Sequence, residues 1–102
     1  MSITVGPYTF DGPHKSTDSL VDGAGVYAIH CYRDQRYYLV DVGESATVRT
    51  RVEGHDRQDC WRRNCNGALT VSVLYTPNLP QASRREVEQV IREQFAPCCG
   101  VY

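Results

Sequence analysis

The stretch GVYAIHCYRDQRYYLVDVG, residues 25–43, holds two runs rich in β-branched and aromatic side chains, Val26 to Tyr32 and Tyr37 to Val42, parted by the polar Arg33-Asp34-Gln35-Arg36. Side chains of this type favour the pleated, half-buried surface of a strand, and a short polar break between two such runs reads as a hairpin. A single aspartate, Asp41, interrupts the second run. A strand made otherwise of Tyr37, Tyr38, Leu39, Val40 and Val42 rarely turns an aspartate inward without a partner, so Asp41 is either a site residue or the charged end of the strand.

Working outward, Gly43-Glu44-Ser45 allows a sharp turn into a helix that Ser45 caps, that carries Arg49 and Arg51, and that Gly54 ends. Residues 55–66 read as polar and irregular apart from Trp61. Leu69, Val71, Val73 and Tyr75 then alternate with Thr70, Ser72 and Leu74, which predicts a third strand with one buried face. Pro77 and Pro80 close it, and Ser83 with Glu86 forms a capping box for a second helix whose apolar positions are Val87, Val90, Ile91 and Phe95 and which Pro97 ends. Upstream, Ile3 to Phe10 reads as one short strand and Asp11-Gly12-Pro13 as a turn, with residues 11–24 mostly loop. The expected fold class is α+β: a small three-stranded antiparallel sheet flanked by helices, with room for an extra N-terminal strand. Residues 1–102 are expected to form a single domain, with its core over about 25–100 and residues 1–24 as an N-terminal extension.

A formal net charge of −1 excludes the basic whole-protein field of a strong non-specific nucleic-acid binder. The charge is uneven, since Arg49, Arg51, Arg57, Arg62 and Arg63 face only Glu53, Asp56 and Asp59 in one stretch, giving either a local basic face or a solvated surface. The apolar runs are too short to cross a bilayer, so no membrane role is expected. Gly23-Ala24-Gly25 precedes a strand where a phosphate-cradling loop would open a helix. Five cysteines, an odd number, behind an N-terminus with no basic or apolar leader pattern suggest a reducing, cytoplasmic setting with thiols acting as small hydrophobes. His55, Cys60 and Cys65 with Cys98 or Cys99 hold enough soft ligands for one zinc ion but lack paired Cys-x-x-Cys knuckles, which makes zinc unlikely.

Several of these residues together resemble the GIY-YIG nucleases. Gly25-Val26-Tyr27 is similar to the GIY element at the start of the first strand, and Asp41-Val42-Gly43 stands where the YIG element belongs. Arg51 follows Gly43 at the spacing of the family's arginine, His55 matches a histidine of many members, and Glu88 matches the glutamate that holds the metal, with Pro97 beyond it. The resemblance runs from about Gly25 to Gly100 and implies a metal-dependent endonuclease that hydrolyses nucleic-acid phosphodiester bonds, DNA ahead of RNA. Tyr27 would take a proton from the attacking water, His55 would help accept the tyrosine proton, Arg51 would clamp the phosphate, and Glu88 would hold one Mg²⁺ or Mn²⁺ ion.

The chain departs from the family in two places. Asp41 replaces the second tyrosine, where its charge would either repel the phosphate or add a metal ligand, and Cys98-Cys99-Gly100 stands where an asparagine is common. These departures support the alternative of a catalytically impaired module that binds nucleic acid or protein. The plain structural readings stand beside the functional ones: Tyr27 as a packing residue, Arg51 as an ordinary surface arginine, though a place on one helical face with His55 would let the two act jointly, and Glu88 as the intrahelical partner of Arg84 or Arg92.

Overall fold

A computed structural model describes residues 1–100. In chain order its elements are β1 (Ser2–Val5), β2 (Tyr8–His14), β3 (Gly25–Arg33), β4 (Arg36–Ser45), α1 (Val48–Glu53), α2 (Gln58–Arg63), β5 (Ala68–Tyr75) and α3 (Gln81–Phe95). The fold is α+β, and its sheet has five antiparallel strands in the order β1-β2-β5-β3-β4, not three.

The two added strands come from the segment expected to be one strand and a loop. Gly6 takes φ +60, as the first central residue of a II′ turn does, and with Pro7 it folds Ile3–Phe10 back on itself, pairing Val5 with Tyr8. β2 then continues through Asp11-Gly12-Pro13, where a turn was expected, and pairs with β5. A Cβ at Gly12 would stand 2.7 Å from Ser72 Oγ, so glycine permits that close approach. β5 is thereby an inner strand. Its polar alternates Thr70 and Ser72, expected to face solvent, are buried as well.

The β3–β4 hairpin is present as read, with Arg33 opposite Arg36 across a two-residue turn. An irregularity follows Ile29: its partner is Asp41 while His30 pairs with Leu39, so Val40 is an extra residue on β4. This bulge puts Val40 and Asp41 on the same side of the strand.

The helix starts differ from expectation. Ser45 is the last residue of β4, where its Oγ accepts the Thr47 N–H at 3.0 Å, and α1 begins at Val48 with no side-chain cap. Gly54 closes α1 as expected. α3 begins at Gln81, immediately after Pro80, so the Ser83–Glu86 pair lies inside the helix and forms no cap. Residues 58–63, read as irregular, form α2, which buries Trp61.

Each face of the sheet has its own core. Tyr27, Ile29, Cys31, Val40, Val71 and Val73 pack under α1 and α2 through Val48, Val52 and Trp61. Phe10, Val26, Ala28 and Val42 pack on the opposite face under α3 through Ile91 and the half-buried Val87. Val90 and Phe95, expected on the buried stripe of α3, are exposed, and Arg84 and Arg92 are buried in their stead. The cysteine reading also changes. Cys31–Cys65 and Cys60–Cys99 are disulfides, and Cys98 is the one free thiol, exposed. No helix among the described residues is long and apolar enough to cross a membrane.

Candidate functional site

Tyr27 is the third residue of β3 and stands opposite Gly43 of β4. A Cβ at Gly43 would collide with the Tyr27 Oη, Cζ and Cε2, so the glycine lets the phenol ring lie across the neighbouring strand. The phenol reaches His55, Oη to Nε2 at 2.6 Å, and the two rings meet edge-on with centroids 5.6 Å apart. Tyr27 is only 2% exposed, and burial pushes its pKa up to about 12; Arg51 and Arg57 pull against that rise, and Asp41 and Glu88 add to it. The same four charges therefore surround one phenol.

His55 lies past the end of α1 in the link to α2, so it does not share a helical face with Arg51. Its Nδ1 accepts the backbone N–H of Arg57 at 3.0 Å. A neutral imidazole that accepts at Nδ1 carries its proton at Nε2 and therefore donates to Tyr27. Burial, then Arg51 and Arg57, lowers the His55 pKa to about 4, so the ring is neutral near pH 7. The role expected of His55, taking a proton from tyrosine, is thus replaced here by that of a donor to the phenol oxygen.

Asp41 is fully buried, and its oxygens collect donors from three elements. Oδ2 accepts Arg57 Nε and Trp61 Nε1, each at 2.8 Å; Oδ1 accepts the Val42 N–H at 2.8 Å and an Arg92 guanidinium nitrogen at 2.9 Å. Arg92 also donates to the carbonyls of Val42 and Cys99, tying the C-terminal segment to β4. Two cations offset the negative charge that the sequence placed beside a phosphate. A buried carboxylate with this many charge-assisted bonds is an anchor for α2 and α3 around the β4 edge.

Arg51 is more open, with its side chain 39% exposed and paired to Asp56 at 2.9 Å. Glu88 is largely buried and accepts Arg92 Nε at 3.0 Å, one of the two intrahelical pairings foreseen; Arg84 instead bridges to Glu44 at 2.9 Å. Tyr27 and His55 are bonded directly under α1 and α2, and Arg51, Arg57, Asp41 and Glu88 lie close enough to act on the phenol electrostatically, Glu88 from α3 on the opposite face of the sheet. Arg57, Trp61 and Arg92 are the residues sequence reasoning did not assign to the site. The signal for them was Asp41, an inward aspartate that needed partners.

As a metal ligand, Glu88 offers the hard oxygen that Mg²⁺ or Mn²⁺ takes, in the pattern where one carboxylate suffices and water and substrate complete the coordination. No group of three or more His, Cys, Asp or Glu side chains among the described residues is placed to hold an ion. The soft set considered for zinc is divided, since Cys60, Cys65 and Cys99 are in disulfides and His55 is engaged at both nitrogens.

No family model, curated protein or solved structure matches the chain.

Proposed function

We propose that this chain is a GIY-YIG-like hydrolase of nucleic-acid phosphodiester bonds, DNA ahead of RNA, with Tyr27, Arg51, His55 and Glu88 as its working residues and Asp41 as the group that positions them. The observation that carries the reading is the 2.6 Å bond between Tyr27 Oη and His55 Nε2 amid the charges of Arg51, Arg57 and Glu88. A phenol whose pKa is pushed up to about 12 is protonated near neutral pH, so it needs help to accept a proton from water. The phenol proton first leaves to bulk water, and the His55 Nε2–H, with Arg51 and Arg57 nearby, stabilises the phenolate left behind, which then takes the proton of the attacking water. Arg51, the most exposed of the set, is the cation for the phosphate. Glu88 would hold one Mg²⁺ or Mn²⁺, which when bound shares the charge gathering on the phosphoryl oxygens.

A second reading, a module that binds nucleic acid without cleaving it, is favoured by the burial of both the phenol and the imidazole. The assay that separates them is nicking of supercoiled plasmid and of single-stranded DNA and RNA with Mg²⁺ or Mn²⁺, run without reductant. Reductant is left out because two disulfides argue against the cytoplasmic setting read from the sequence. Cleavage by the wild type, reduced at least about a hundredfold in Tyr27→Phe, Arg51→Ala and Glu88→Ala, supports the enzyme. No nicking, with a salt-sensitive mobility shift that needs no metal, leaves the binding module.

A further inference from the structure

At the far end of β3, about 17 Å along the strand from Tyr27, residues 32–38 form a hairpin tip that is exposed throughout and belongs to neither core. Three of them are tyrosines: Tyr32, Tyr37 and Tyr38 are 37%, 44% and 38% exposed. Rings left open to water add little to folding, and their concentration at one tip marks an interaction surface. They are also held in place. Tyr32 and Tyr37 stand opposite each other with ring centroids 4.6 Å apart, and the buried His30 sets its ring edge-on to Tyr37 at 6.2 Å. On the other side of the hairpin Arg33 lies over the Tyr38 ring, its Cζ 4.6 Å from the centroid. The Cys31–Cys65 disulfide clamps the root of the tip to the chain after α2. Rings ordered in advance cost a ligand less to bind.

The charge of the tip is unbalanced. Arg33 and Arg36 are direct partners across the turn, and like charges directly opposite on paired strands destabilise the pair. Asp34 is the only acid in the segment, and neither arginine has an ion pair among the described residues. An anion laid between the two guanidinium groups relieves their repulsion. β4 is an edge strand, so a ligand lying along that edge reaches side chains of both its faces, Tyr37 on one and Tyr38 on the other. The matching ligand carries flat rings at intervals with anions between them. A duplex keeps the faces of its bases in the stack, whereas a single strand offers them.

We propose that the hairpin tip binds single-stranded nucleic acid, with bases stacked on the Tyr32–Tyr37 pair and on Tyr38 and with phosphates at Arg33 and Arg36. This deepens the nucleic-acid reading above by naming a single strand as the partner, but it stands on the tip and not on Tyr27, so the two fail separately.

The test is fluorescence anisotropy of labelled oligo(dT) and oligo(rU), and of a duplex of the same length, titrated with the full chain in EDTA so that no cleavage competes. The expected result is saturable binding of at least one single strand, about tenfold or more tighter than of the duplex. The Tyr32→Ser, Tyr37→Ser double variant should bind at least about tenfold more weakly. The Tyr32→Phe, Tyr37→Phe pair should bind as the wild type does, because stacking needs the ring and not the hydroxyl. Arg33→Gln with Arg36→Gln should also weaken binding and reduce the slope of log K against log salt by about 1.4, two phosphate contacts at about 0.7 each. Far-UV circular dichroism checks that each variant is folded. The assignment is overturned if neither strand binds at low salt, if the duplex binds as tightly, if the Ser pair binds as the wild type does, or if a peptide of alternating Glu and Tyr displaces the strand at equal concentration, which would give the surface to an acidic protein segment. A chain that nicks plasmid but fails these tests keeps the hydrolase and loses the tip, and one that passes them without nicking does the reverse.

Discussion

The two faces of the sheet are covered by different means. Under α3, a helix of 15 residues, Ile91 and Val87 pack on Phe10, Val26, Ala28 and Val42, and the buried Arg84 and Arg92 pin the helix to Glu44 and Asp41 of β4. The other face is covered by α1 and α2, six residues each, and helices that short have little stability of their own in water. That face carries the added ties: the Arg57 and Trp61 bonds to Asp41, the Tyr27–His55 bond and both disulfides. Where secondary structure is too short to hold itself, polar and covalent links set the geometry, and Tyr27, His55 and Arg51 are found on the same side.

The strongest way to break this contrast is Asp41→Ala. It removes the buried charge on which Arg57, Arg92 and Trp61 converge, and losing one member of a buried ionic cluster costs about 3–5 kcal/mol. Urea unfolding of the wild type and variant measures it, and a loss below about 1 kcal/mol would show that α2 is held by packing alone. A smaller effect is expected from the Cys60→Ser, Cys99→Ser double variant. The bridge closes a separation of 39 residues, and removing it should cost about 2–4 kcal/mol. Because Cys60 adjoins Trp61, the same variant should also alter the Trp61 emission; unchanged emission would mean that α2 keeps its seat without the tie.

Much of the longer-covered face was legible in the sequence, and less of the other. The β3–β4 hairpin, β5 and α3 follow from periodicity, because strands and long helices repeat their burial pattern enough times to be read. Trp61 sits in a six-residue helix with too few turns to show a period, and its link to Asp41 spans 20 residues. Gly6-Pro7 was hidden because it sits inside a run that otherwise reads as one strand. At the site, Tyr27, His55 and Asp41 could be singled out from the sequence, yet the donors to Asp41 could not, since nothing local to Arg57 or Arg92 says which carboxylate each will meet. Disulfide pairing was equally illegible: an odd count of cysteines does not reveal that four of them meet in pairs.

Acid distinguishes the faces more gently, because each buries a histidine. By alternation His30 points to the α3 face and His55 to the other. Both have pKa values lowered from 6.5 to about 4, His30 by burial alone and His55 by burial with Arg51 and Arg57. Between those values the unfolded chain binds more protons than the folded one, so stability rises with pH across the window and is lost as pH falls through it. His30 alone should lose about 2 kcal/mol at roughly pH 5, and His30→Gln should flatten that part of the curve. Arg51→Ala should raise the His55 pKa, seen by NMR titration, and leave His30 where it is; a shift at both would mean that the two faces are electrically coupled.

The smallest effect is expected where the two faces meet, at the tip of the hairpin they share. Asp34 and Gln35 take φ values of 52 and 64, the left-handed pair of a type I′ turn. Aspartate tolerates that region because its short side chain bonds locally, but glutamine gains nothing from it and carries the Cβ crowding in full. Gln35→Gly relieves the crowding and also adds freedom to the unfolded chain, so the net gain should be only about 0.5–1 kcal/mol. Because Gln35 is exposed and lies outside both cores, this gain should add to the loss from Asp41→Ala within about 0.5 kcal/mol in the double variant. Departure from additivity would mean that strain at the turn is transmitted along β4 to the bulge at Val40, and hence that the register presenting Asp41 is set from the hairpin tip as well as from α2 and α3.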